Sequence, residues 1–357
     1  MKKEIGSEFW TGCSPIGRHG CKWQQPQGWS SLETLSGRVA LECVVERIKA
    51  TGATSVYMPS YCCHTMIEPI FKHGLRVAFY DVVLTETGLK RQFNANHGCD
   101  VVFLLDYFGH IDEETATIAK DQKAKGKTVI YDATHSIYSD FDSTIYDYVF
   151  GSYRKWMDVN YGFVTTKNTI GDNIQADWKQ FDEYVDMRTL TFDMKSRFMN
   201  GEGVDKQQFL PWINEAEEML EQNYHHTLPD SRSLIVLEKT DLPSLMMARR
   251  SNAKVLIDGI TDLADERIRC FVTNMGAHDT PLFVPVWIKA DIRNDLRRYL
   301  IEHDVYCPVH WPLSDLHIIS DEAKKLYQSE LSLVCDQRYD HFDMYRIVKT
   351  IKNYLKK

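Results

Sequence analysis

The sequence predicts an α/β protein in which a mostly parallel sheet is covered by helices on both faces. From Ser36 onward, short apolar runs alternate with amphipathic runs at helical spacing. Strands that are apolar at successive positions have to be buried on both faces, and helical crossovers between parallel strands supply that cover. The length of 357 residues favours two domains over one.

Each element of the first part follows from its own pattern. Helical spacing of apolar residues predicts helices in "SGRVALECVVERIKA", in "CHTMIEPIFKHG", which Gly74 ends, and in "DEETATIAKDQKAKG", which has an acidic start. Runs of β-branched, aromatic and other apolar residues predict strands in "TSVYMP", "LRVAFYDV", "CDVVFLLDYFG", "KTVIYDATHS", "YDYVFGS" and "YGFVTT".

The second part predicts a smaller α+β unit. Residues 170–230 are polar with helical patterns, and one helix is expected from about Ser231 through "ARRSNAKVLIDGI". A strand in "PLFVPVWI", a helix in "DIRNDLRRYLIEHD", a proline-rich turn and a last helix from Phe342 follow. We therefore expect an irregular segment over residues 1–30, a large domain over 31–245 and a small C-terminal domain over 246–357.

Composition excludes several classes of partner. The chain has 42 basic and 50 acidic residues, a net charge of −8, which argues against nucleic acid or an anionic membrane as the main partner. No apolar run approaches the roughly 18 residues that span a bilayer. The start of the chain lacks the apolar core of a signal peptide, so a cytoplasmic location is expected. Cys62–His64 ("CCH") is followed by no C-x-x-C partner, so no metal site is predicted.

Polar side chains follow two of the predicted strands at the point where each ends. Asp132 ends one strand, and Ser152, Arg154 and Lys155 follow another, while Gly37 opens a helix. Ligands of open α/β sheets bind outside the carboxyl ends of the strands. A nucleophilic amine, a carboxylate and donors for a phosphate are the groups that hold pyridoxal phosphate. The sequence therefore predicts a site for this cofactor.

Five segments, in order along the chain, resemble the fold-type I pyridoxal-phosphate enzymes, and most closely the DegT/StrS-type sugar aminotransferases. The resemblance runs from about Ser36 to the C-terminus. It is carried by "SGRVAL", "VYMPSYCCHTMIEPIFKHGLRVAFYDV", "LLDYFGHIDEE", "VIYDATHS" and "LIEHDVYCPVHWPLSDLH". It implies the PLP-transferase fold, with a sheet of the seven-stranded type and a small C-terminal α+β domain.

The resemblance also implies roles for single residues. Lys155 would form the internal aldimine with the cofactor, and Asp132 would pair with the pyridine nitrogen and keep it protonated. His135 would lie near the ring or its phenolic oxygen. Gly37 and Arg38 would offer backbone amides to the phosphate.

The lysine segment and the ring-stacking position depart from the usual pattern of the sugar aminotransferases. Ser152 stands three residues before the lysine, with Arg154 directly before it, and this S-x-R-K segment is more similar to the cysteine-desulfurase branch, where both residues touch phosphate. Cys63 occupies the position of the stacking aromatic, with Tyr61 and His64 as neighbours.

The implied activity is the transfer of an amino group to a keto-sugar, nucleotide-linked in this family, or to a similar carbonyl compound. His310 and Trp311 would approach the substrate from the small domain. A small-molecule substrate, an amino donor and a second copy of the chain are the expected partners, since this fold builds its site at a homodimer interface. Two alternatives stay open: another pyridoxal-phosphate reaction, such as a lyase or dehydratase reaction, and a non-catalytic descendant that binds the cofactor or a sugar nucleotide.

Overall fold

A computed structural model describes residues 3–170, 178–223 and 227–357. The strands are β1 Ile5–Gly6, β2 Ser30–Thr34, β3 Ser55–Pro59, β4 Arg76–Thr85, β5 Gly88–Gln92, β6 Val101–Leu105, β7 Thr128–Asp132, β8 Tyr148–Ser152, β9 Gly162–Thr166, β10 Ile268–Cys270, β11 Phe283–Ile288, β12 Val305–Tyr306 and β13 Glu330–Val334. The helices are α1 Gly37–Ala50, α2 His64–Lys72, α3 Glu113–Ala124, α4 Phe181–Met199, α5 Leu210–Asn223, α6 Ser231–Lys239, α7 Leu242–Thr261, α8 Ala290–Glu302, α9 Asp321–Ser329 and α10 His341–Leu355. Among the described helices, none combines the length and the apolar character needed to cross a bilayer.

The main sheet has a parallel centre and antiparallel edges. Within the described residues it has eight strands in the order β2-β9-β8-β7-β6-β3-β4-β5. The five strands from β8 to β4 are parallel. At one edge β9 runs antiparallel to both β8 and β2, and at the other β5 runs antiparallel to β4. The mostly parallel sheet predicted from the sequence is confirmed, with one strand more than the expected seven.

The core of the main sheet lies on both of its faces. Strands β3, β6, β8 and β9 are buried at every position, which requires cover on each side of the sheet. Helix α1 packs on β8 and β9, α3 on β6 and β7, and α2 and α9 on β4. These continuous apolar strands are the ones that the sequence predicted.

A second core forms around the three-stranded antiparallel sheet β10-β11-β13, with α7 and α8 against the sheet and α10 packed on these two helices. Helix α7 connects the two cores, because Leu245 packs in the first and Ala253 to Ile260 in the second. The expected continuous helix from Ser231 is interrupted instead. Asp241 caps α7 and accepts the Ser244 N–H (3.2 Å), while Pro243 follows in its first turn. The domain boundary at residue 245 stays a prediction.

The N-terminal segment is attached to both cores. Strand β1 pairs in parallel with β12, and β2 pairs with β9 of the main sheet. Glu4 is buried and forms an ion pair with the buried Lys195 of α4. Arg338 donates hydrogen bonds to the carbonyl oxygens of Ser7 (3.1 Å) and Glu8 (2.8 Å). The first residues therefore lie against the small unit, beside the carboxyl edge of the main sheet.

Candidate active site

A cavity of about 260 Å³ lies at the carboxyl edge of the main sheet. Nine of the residues singled out in the sequence line it: Gly37, Arg38, Cys63, Asp132, His135, Ser152, Arg154, Lys155 and Trp311. They come together because the parallel strands β7 and β8 end side by side and α1 begins next to them.

The start of α1 forms one wall of this cavity. Ser36 caps the helix, and its hydroxyl accepts the Val39 N–H (3.3 Å). A β-carbon on Gly37 would lie 2.9 Å from the β-carbon of Ser152, so only glycine permits this close approach of α1 to the end of β8. The first turn of this 14-residue helix thus lies beside Ser152. A helix N-terminus and a hydroxyl are suited to an anionic group.

Lys155 projects into the cavity from a rigid turn. Strand β8 ends at Ser152, and one 3₁₀ turn, Tyr153–Lys155, follows it. The turn is fixed by the Trp156 indole N–H, which donates to the Thr134 carbonyl oxygen (2.8 Å). Lys155 itself is exposed, and within the described residues its amine has neither a hydrogen bond nor a carboxylate partner. The amine is therefore free to react.

Asp132 is a buried carboxylate at the end of β7. It is 2% exposed and accepts the Thr134 N–H (2.8 Å). Burial raises its pKa to about 6, and the hydrogen bonds from Thr134 limit the rise. No cation pairs with Asp132 in the part of the chain that the structure describes. A cationic ligand group placed against it would relieve the cost of this burial.

His135 is held as a neutral ring with a known tautomer. Phe108, at φ +59°, directs its N–H to Nδ1 of His135 (3.2 Å). Burial, and the nearby His310 and Lys155, lower the pKa of His135 well below its usual value. Because Nδ1 accepts a hydrogen bond, the proton of the neutral ring is on Nε2. The ring stacks on Trp311, with centroids 5.3 Å apart.

Cys63 presents a thiol to the cavity at the start of α2. The Thr65 hydroxyl donates to its sulfur (3.1 Å), and His64 Nδ1 is 3.8 Å from the same atom. Burial favours the neutral thiol, but the hydrogen bonds from His64 and Thr65 and the charge of Lys155 outweigh it and lower the pKa of Cys63 to about 7. The stacking position of the resembled family thus holds an acidic thiol here.

Arg154 is engaged by an acidic partner that the sequence did not suggest. Its guanidinium is paired with Glu217 of α5, which also lies 3.5 Å from Arg188 of α4. Burial would raise the pKa of Glu217, but Arg154 and Arg188 lower it to about 2. Glu8 of the N-terminal segment lies 3.4 Å from Arg188 and extends the network.

Three residues singled out in the sequence lie just outside the lining of the cavity. Tyr61 is fully buried beside Trp311, with ring centroids 5.1 Å apart. His64 contacts the Cys63 sulfur. His310 is buried, its main-chain N–H donates to the Glu330 carboxylate (2.6 Å), and burial lowers the pKa of its ring to about 3.

Sequence reasoning missed Glu8, Arg188 and Glu217. One signal was available for Arg188, since it falls in the buried stripe of α4 between Tyr184 and Phe192, where an arginine needs a buried acidic partner. Nothing in the local sequence identifies which acid that is.

No family model and no curated protein match the sequence. Solved structures do. Spr1654 from Streptococcus pneumoniae, a putative sugar aminotransferase in its PLP form, is 15% identical, with 99% of each chain covered and a TM-score of 0.64. PseC from Helicobacter pylori, an aminotransferase in pseudoaminic acid biosynthesis, is 12% identical over 91% of this chain and 86% of that chain, with a TM-score of 0.62. DesI, solved in the presence of its TDP-sugar product, is 15% identical over 90% of this chain and 80% of that chain, with a TM-score of 0.60.

At such identities the similarity establishes the fold. The chain has the fold of these aminotransferases, as the sequence predicted.

Proposed function

We propose that the protein is a pyridoxal-phosphate-dependent aminotransferase that transfers an amino group to the keto group of a nucleotide-linked sugar. The observation that carries the proposal is that one cavity is lined by both the amine of Lys155 and the carboxylate of Asp132, neither of which has an ionic partner among the described residues. A cofactor with a carbonyl group and a basic ring nitrogen would engage both residues at once, the carbonyl at Lys155 and the ring nitrogen at Asp132.

The residues of the cavity fit the cofactor by their donor chemistry. The Ser152 hydroxyl and the start of α1 at Gly37 would hold the phosphate. The Asp132 carboxylate would accept a hydrogen bond from the protonated ring nitrogen, and Nε2–H of His135 is available to a ring oxygen. Arg154 is paired with Glu217. That it also contacts the phosphate stays a prediction.

When bound, pyridoxal phosphate would supply a carbonyl that condenses with amines and a ring that withdraws electrons. The chain's own residues would do the rest. Lys155 would hold the cofactor through Nζ and, once displaced by the amino donor, would act as the base that carries a proton between the substrate carbon and the cofactor. Asp132 would keep the ring nitrogen protonated throughout, because an ionised carboxylate beside it raises the pKa of that nitrogen.

The sugar substrate and a dimeric state are further parts of the proposal. A TDP-sugar product accompanies DesI and a sugar aminotransferase is the description of Spr1654, which supports a nucleotide-linked keto-sugar as the acceptor. We propose a homodimer because the resembled family completes its site with residues of a second subunit.

The test is the absorption spectrum of the purified protein with pyridoxal phosphate, followed by borohydride reduction and mass mapping. We expect a pyridoxyl adduct on Lys155, which Lys155→Ala loses and Lys167→Ala, an exposed lysine after β9, retains. An amino donor should then convert the bound cofactor to its amine form. Absence of a cofactor band in the wild type would refute the proposal, and a band without conversion would leave a binding protein.

A further inference from the structure

A second cavity, of about 400 Å³, shares Glu8, Arg154 and Lys155 with the first. Residues 6–9 of the N-terminal segment form part of its wall, and Arg249, Arg297 and Arg338 contribute cationic side chains. We call this space the arginine cavity. The two cavities meet at the amine on which the proposed chemistry depends, so a molecule that reacts at Lys155 can extend into the arginine cavity.

The acidic side chains of the arginine cavity are already neutralised. Asp336 accepts two hydrogen bonds from Arg338, at 2.8 and 2.7 Å. Glu8 lies 3.4 Å from Arg188, a residue that does not line this cavity. The charge of Asp336 also acts on Arg249, but the lining holds five cationic side chains and only these two acids.

Among the described residues, neither Arg249 nor Arg297 forms a close ion pair with a carboxylate. Arg249 of α7 is fully buried and donates to the side chain of Gln337 and to three main-chain carbonyl oxygens, with its guanidinium over the Trp156 ring. Arg297 of α8 is half-buried and donates from Nε to the Cys307 carbonyl oxygen (3.2 Å). Its two terminal nitrogens make no hydrogen bond to the described part of the chain. The arginine cavity thus has an excess of positive charge and one guanidinium edge free to bind.

We propose that the arginine cavity binds an anionic group of the substrate, with the terminal nitrogens of Arg297 as donors and Arg249 as a buried background charge. The inference rests on the proposed function, which puts the reacting amine at Lys155. A planar guanidinium binds carboxylate and phosphate oxygens in pairs. The group is either the carboxylate of the amino donor or the diphosphate of the nucleotide sugar.

Two unreactive probes distinguish these sources: succinate for a carboxylate and uridine diphosphate for a diphosphate. Each is titrated by calorimetry into the cofactor-loaded wild type, Arg297→Gln and Arg298→Gln. Arg298 is the matched control, since it is next on α8, is largely exposed and pairs with Asp295. We expect one probe to bind about tenfold or more weakly to Arg297→Gln, because a charge-assisted hydrogen bond is lost, and as tightly as wild type to Arg298→Gln. The probe that is affected identifies the source.

The inference is overturned if neither probe binds the wild type, or if Arg297→Gln binds both as the wild type does. Spectra and melting curves of the same samples separate the other failures. A wild type without a cofactor band would refute the proposed function. An intact band, with probe binding that does not depend on Arg297, would refute only the anion site. If Arg297→Gln does not fold, Arg297→Lys tests the same point, since it keeps the charge and loses the paired geometry.

Discussion

At the scale of single residues, Asp132 combines deep burial with the absence of a cationic partner in the described chain. Burial raises the pKa of its carboxyl group to about 6 in the folded protein, whereas the usual value is 3.8. Between these values the folded protein binds a proton that the unfolded chain has released, so stability falls as the pH rises through this window. The ionised carboxylate thus destabilises the cofactor-free protein, and a cationic ligand group bound against it would remove this cost.

We therefore expect Asp132→Asn to stabilise the cofactor-free protein at neutral pH, by up to about 3 kcal/mol for a shift of this size. The gain should vanish near pH 4, where the carboxyl is protonated in the wild type as well. Amino transfer should fall by orders of magnitude, because an amide does not keep the ring nitrogen charged. Melting curves at both pH values measure the first effect, and a lower melting temperature at neutral pH would contradict it.

Cys63 is the second residue with a measurable signature. The other eight cysteines have pKa values raised by burial, so Cys63 should be the first thiol that iodoacetamide modifies. Its rate should fall below about pH 7 as the thiol gains a proton. Bound pyridoxal phosphate should protect it. Peptide mapping of Cys63→Ser against Cys62→Ser checks this, and rapid labelling that survives Cys63→Ser would refute it.

At the scale of elements, the short strand β1 depends on one glycine. Gly6 has φ +89°, and a β-carbon there would lie 2.1 Å from the Tyr306 carbonyl oxygen of β12. The Tyr339 hydroxyl accepts the Gly6 N–H (2.8 Å) and fixes the same point. Any side chain at position 6 would push β1 away from β12.

We expect Gly6→Ala to detach the N-terminal segment and to expose it to limited proteolysis. Gly12→Ala is the matched control, since Gly12 also has a positive φ (+77°) but nothing within 4 Å of an added β-carbon. Gly12→Ala should lower the free energy of unfolding only by the backbone strain, about 1–2 kcal/mol. Equal proteolysis of the two variants would show that the contact with Tyr306 does not hold the segment.

How far the sequence predicts elements depends on whether their pattern is local. The central strands and α1 were predicted because their apolar patterns are visible within each segment. Strands β2 and β5 were missed, since both are half-exposed edge strands without a continuous apolar run. Their pairing comes from neighbours distant in sequence.

The same distinction applies to the site. Lys155 and Asp132 could be located because each follows a recognisable strand. The pairing of Arg154 with Glu217, and the free edge of Arg297, depend on the packing of separate helices. A single sequence carries no signal for such contacts.

At the scale of the whole molecule, the proposed dimer gives a direct prediction. The chain has a mass of 41.5 kDa, and a homodimer should scatter light as a particle of twice that mass. We expect this mass at the concentrations used for activity, because the resembled family builds its site from two subunits. A monomeric mass together with full amino transfer would contradict the proposal.

The pairing of β1 with β12 also has a consequence for the synthesis of the protein. Ile5 leaves the ribosome well before its partner Val305, which is made 300 residues later. At about 5–20 residues per second, the first strand waits roughly 15–60 s for its partner. Until then the large sheet can assemble around β3 to β9, and β1 of the N-terminal segment docks after it. The wall of the arginine cavity therefore closes only after β12 has been translated, so a product truncated before β12 would lack it.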